Sequence, residues 1–148
     1  MRKLLLLLLV AAFATGVNAQ SSYDRPWPGA SHFYTANVSD SESDNPVRWW
    51  VATDASGNSK AAHGTDYTFI SSGYNSVTNR LESVALYAVQ ISWGENLTDG
   101  QQFYIVLEVD DNASGCTNRM VLPVVVDAAF NARVWNVTGS ASPGTVII

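Results

Sequence analysis

After residue 19 the chain alternates apolar and polar positions with a period of two, and no stretch sustains the 3.6-residue spacing of an amphipathic helix. Six runs of aromatic and β-branched residues predict strands. They are Ser31–Val38, Val47–Thr53, Thr65–Ile70, Val84–Trp93, Phe103–Val109 and Arg119–Val126. In the fourth run the apolar positions change phase at Ala88-Val89, which predicts a bend or bulge. Turn-forming clusters separate the runs: Asp54–Ser59, Ser71–Asn75, Thr98–Gly100 and Asp110–Gly115. About seven short strands without intervening helices predict an all-β protein, an antiparallel β-sandwich or barrel.

The first nineteen residues have a different pattern. Met1-Arg2-Lys3 is basic, Leu4–Ala14 is an apolar run, and Thr15–Ala19 offers small residues at the −3 and −1 positions of a cut after Ala19. This three-part layout predicts a cleaved signal peptide, and the run is too short to span a bilayer comfortably. The expected divisions are a signal peptide 1–19, an extended lead-in 20–29, a sandwich 30–127, and a segment 128–148 that is a tail, a linker or the start of a next module. Within the last, Phe130–Val137 is a candidate strand, Gly139–Gly144 is linker-like, and Thr145–Ile148 is β-prone. The expected location is outside the cell or on its surface, with no membrane span after cleavage.

Composition narrows the function classes. Of 148 residues 47% are hydrophobic and 14% charged, so disorder throughout is excluded. Without Arg2 and Lys3, 6 basic residues face 13 acidic ones, a net charge of −7. That balance argues against nucleic acid as a partner. One Cys and two His make no intramolecular disulfide and a poor structural zinc site. The stability of an exported chain of this kind must come from its apolar core.

Several segments resemble one family. They are Pro28–Tyr34, Trp50-Val51, Val89–Gly94, Tyr104–Val109 and the Gly115-Cys116-Thr117 turn. In order and spacing they are similar to PKD-like, immunoglobulin-like domains of secreted and surface proteins of Bacteroidota, over residues 26 to 127. Val51-Ala52-Thr53-Asp54 stands after Trp50 where better-known PKD domains continue their W-D-F-G-D-G motif. The resemblance implies an immunoglobulin-like sandwich acting as a spacer, adhesion or assembly unit. Its partners would be other surface proteins, further modules or copies of itself.

Candidate chemistry is sparse. Trp49 and Trp50 are adjacent and point to opposite faces of a strand. One belongs to the core, and the other is exposed or covered by a loop. Together with Tyr74 they are the candidate stacking residues of a carbohydrate-binding module, the alternative function. Asp40, Glu42 and Asp44 alternate in one loop, and Asp110 and Asp111 adjoin in another. These five carboxylates are the candidates for a Ca²⁺ site if the loops meet. The first loop lacks the glycine that a calcium loop needs after its third acid and runs into Pro46, so a solvated loop is the plainer reading. Cys116 is a lone thiol, open to an intermolecular disulfide. No G-x-S-x-G elbow, H-E-x-x-H pair, P-loop or dinucleotide-binding glycine pattern occurs, and the chain is read as non-catalytic with no cofactor required.

Overall fold

The computed structural model describes residues 21–38 and 44–127. The signal peptide, Asp40, Glu42 and the segment 128–148 lie outside the described residues. Eight strands follow one another: β1 (Ser31–Thr35), β2 (Pro46–Ala52), β3 (Tyr67–Phe69), β4 (Tyr74–Asn75), β5 (Arg80–Val84), β6 (Ala88–Trp93), β7 (Gln102–Asp111) and β8 (Cys116–Val125). No helix occurs among the described residues. The strands form two antiparallel sheets, one ordered β1-β6-β3 and the other β4-β5-β2-β7-β8.

The alternation that predicted strands also builds the core. β6 turns Val89, Ile91 and Trp93 inward, and β7 turns Phe103, Ile105, Leu107 and Val109 toward them. Trp93 and Phe103 rings meet at 5.4 Å across the layers. The Trp93 indole donates to the Tyr34 hydroxyl at 3.0 Å, which in turn donates to the Tyr23 carbonyl at 2.8 Å. This satisfies both polar tips inside the core, and burial pushes the Tyr34 phenol well above its ordinary pKa.

Two departures from the expected pattern have local causes. The run expected as one strand, Val84–Trp93, is broken at Ala85–Tyr87. Ala85 sits in the left-handed region at φ 50° and donates its amide to the Asn45 carbonyl at 3.0 Å. The cluster expected only as a turn at Ser71–Asn75 contains β4, which pairs with the unpredicted β5. In β5 only Leu81 is buried, so its residues show too little alternation to betray a strand.

Both faces of the five-stranded sheet are covered around β2. Trp49 faces the main core, where its indole donates to the Leu86 carbonyl at 2.7 Å. Trp50 faces outward and is nonetheless 1% exposed. The loop after β2 folds back over it, and its indole donates to the Gly57 carbonyl at 2.8 Å. Ala52, Val106 and Tyr104 complete this second core. Gly57 is required for the approach: its φ is +74°, and a Cβ there would lie 2.9 Å from Val106 Cγ2. Replacement Trp50→Ala is expected to cost about 4 kcal/mol in chemical denaturation. It is also expected to make the 53–59 loop the first site cut in limited proteolysis.

Candidate functional site

The charged residues of the outer face form an ordered row. Register places Glu82, Arg48, Glu108 and Arg119 side by side across β5, β2, β7 and β8, alternating in sign. Glu108 is buried and meets three guanidinium groups. Arg119 donates from Nη2 at 2.7 Å and from Nε at 3.2 Å, Arg48 donates from Nη1 at 3.3 Å, and Arg80 lies at 3.7 Å. Arg80 and Arg119 also cover the Trp50 ring, at 4.4 and 5.2 Å from its centroid. A buried carboxylate needs such partners, and the ring packs against their planar faces. The row stiffens the sheet as far as β8.

Beyond β8 the cover ends. β8 is the edge of the five-stranded sheet and β1 the edge of the three-stranded sheet. Between them runs a groove of ≈ 490 Å³ lined by Phe33, Trp49, Leu107, Met120 and Leu122 among others. Even-numbered residues of β8 face inward, as buried Val124 does. Met120 and Leu122 share that face but are 45% and 37% exposed, because no strand of the smaller sheet reaches them. The groove continues into a second, more polar cavity of ≈ 440 Å³ at Asn37, Asn118 and Asp111. This open side is the candidate functional site. Sequence reasoning missed it, although Pro123 inside an apolar run, after Met120-Val121-Leu122, is a mark of an edge strand.

The residues singled out from sequence fall elsewhere. Trp49 and Trp50 are both buried, so neither presents a ring to a sugar; the platform expected of them is occupied by core on one side and by loop and arginines on the other. Tyr74 is half-buried. The His63 ring stacks on it at 3.6 Å, and its hydroxyl donates to Asn79 Oδ1 at 2.9 Å. The two acidic loops do meet: Asn112 donates its amide to Asn45 Oδ1 at 3.1 Å and its side chain to the Asp44 carbonyl at 2.9 Å. The carboxylates of Asp110 and Asp111 are nevertheless engaged locally. Asp110 accepts from the Thr117 hydroxyl and pairs with Arg48, each at 2.7 Å, which holds its pKa below the usual range. Asp111 is likewise held down, by the Ser114 hydroxyl and the Ala113 amide. Among the described residues no three His, Cys, Asp or Glu side chains are grouped to hold a metal ion. Cys116 is exposed at the start of β8, in the turn that carries Ser114.

Against this geometry, no family model, curated protein or solved structure matches the chain.

His63 gives the region a pH dependence. Its Nε2 accepts the Phe69 amide at 3.3 Å, which requires an unprotonated nitrogen, and burial lowers its pKa. Burial lowers that of His32 as well. The fold therefore favours neutral imidazoles, while the unfolded chain takes up protons as pH falls through about 6.5. The stabilisation is complete above that value and lost below it. The melting temperature is expected to fall between about pH 7 and about pH 5, and to fall less in His63→Gln.

Proposed function

We propose that the chain is an exported, non-catalytic β-sandwich module that serves a structural, adhesive or assembly role at the cell surface or in the extracellular matrix. It works by presenting backbone and apolar surface to a protein partner. The observation that carries this reading is the open side between β1 and β8. A strand edge lies there beside unfilled apolar surface, a template for pairing with another chain. The N-terminal pattern of Met1–Ala19 supports export. Within this proposal the sandwich is of the immunoglobulin-like, PKD-like type. Two antiparallel sheets of three and five strands support that, with Trp50-Val51 in a central strand and Gly115-Cys116 in the β7–β8 turn.

Export and exposure are tested together. The chain recovered from its cells is expected to begin at Gln20 and to be digested when protease is added to intact cells. A chain that retains Met1 and resists protease until the cells are lysed contradicts the reading.

A further inference from the structure

The backbone of β8 shows which of its groups no other described residue takes up. The Val125 amide donates outward, to the Asp24 carbonyl at 3.0 Å. Register with β7 is unbroken from Val125 to Cys116, so alternate residues repeat that orientation. Thr117, Arg119 and Val121 therefore point N–H and C=O away from the sheet. Pro123 belongs to the same set and has no N–H to offer. The available stretch is Thr117–Val121, and it lies along the groove formed by Met120, Leu122, Leu107 and Phe33. An added strand would satisfy the backbone groups of β8 and close the groove in one step.

We propose that this opening receives an extended strand from the segment 128–148 of a second copy of the chain, with Phe130, Ala132 and Val134 directed into the groove. The inference rests on the assembly reading above and names its partner. Phe130, Ala132 and Val134 alternate with Asn131 and Arg133, the pattern of a strand with one buried face. A tight hairpin return within one chain is closed. At the exit of β8 the edge is taken by the lead-in, through Val125 to Asp24 and Asp127 to Pro26 at 3.1 Å. The Arg25–Asp127 ion pair at 3.0 Å reinforces that contact. Pairing two β8 edges directly would join two empty grooves and fill neither. The 21 residues after Asp127 extend as far as about 69 Å, against about 17 Å for the open stretch of β8, so the reach is ample. Each chain then offers one strand and one groove. The exchange closes as a two-fold dimer where it is reciprocal and generates rings or filaments where each chain passes its strand to a different neighbour.

The test is sedimentation velocity on the chain Gln20–Ile148 over a wide concentration range, in reducing buffer so that Cys116 cannot contribute. Mean mass is expected to rise with concentration, to that of a dimer or beyond. Val121→Pro removes an outward N–H that no described residue accepts, and Phe130→Asp changes only the incoming strand. Each is expected to weaken association by at least about tenfold while leaving the melting temperature of the dilute chain unchanged. A wild-type chain that stays single throughout overturns the proposal. So does association that both variants leave intact. A chain that is exported yet single contradicts this pairing and leaves the exported-module reading standing. Retention inside the cell contradicts that reading whatever the centrifuge shows.

Discussion

Two adjacent indoles set the terms for the whole fold. Trp49 and Trp50 sit in the middle of β2, and a strand must send them to opposite faces. A sheet with a tryptophan on each side needs two covers. The three-stranded sheet supplies the inner one. The outer one is improvised from a short loop, a glycine that permits close approach, and two guanidinium groups that lie over the ring. Those guanidinium groups are in turn held by Glu108, whose burial is tolerable only because three arginines surround it. Aromatic burial and the charged row are thus one device.

The device also explains where the sandwich stops. β2 and β7 lie in the middle of the larger sheet and are covered on both faces, whereas β8 is supported mainly from the outside, through Arg119. Its inner face keeps the apolar residues of a core strand, Met120 and Leu122, without a layer above them. Natural sheets blunt exposed edges with charge, proline or covering loops. Here Pro123 and the lead-in protect only the last third of β8, and Thr117–Val121 keeps backbone groups that no other described residue takes up next to apolar surface. Protection that is local while the rest of the edge stays bare fits an edge that is used.

Much of this was legible in the chain. Aromatic and β-branched runs located β1, β2, β3, β6, β7 and β8 within a few residues, because each turns a regular apolar face inward. The opposed tryptophans were legible too, since period-two geometry leaves no alternative. β4 and β5 were not, because Leu81 is the only buried residue of the pair and Arg80 and Glu82 serve the outer row instead. The phase change at Ala88-Val89 signalled an interruption of that run, but its place at Ala85–Tyr87 was not legible, because alanine carries no sign of a left-handed backbone. The site was the least legible part. Burial of both indoles depends on a loop returning from Thr53–Ser59, and exposure of Met120 depends on β1 and β8 being unconnected edges. Both are facts of long-range topology that no local pattern contains.

The central claim is that the sandwich is closed around β2 and open along β8. Residue-resolved amide hydrogen exchange on the chain Gln20–Ile148 tests it most directly. In dilute solution the Arg119 and Val121 amides are expected to exchange rapidly, while those of Trp50 and Val106 are strongly protected. Raising the concentration should slow Arg119 and Val121, together with Thr117 and the amides of the incoming strand, and leave Trp50 and Val106 as they were. Protection of those two amides that is already complete in dilute solution would mean that the edge is covered within the single chain, and would contradict the account.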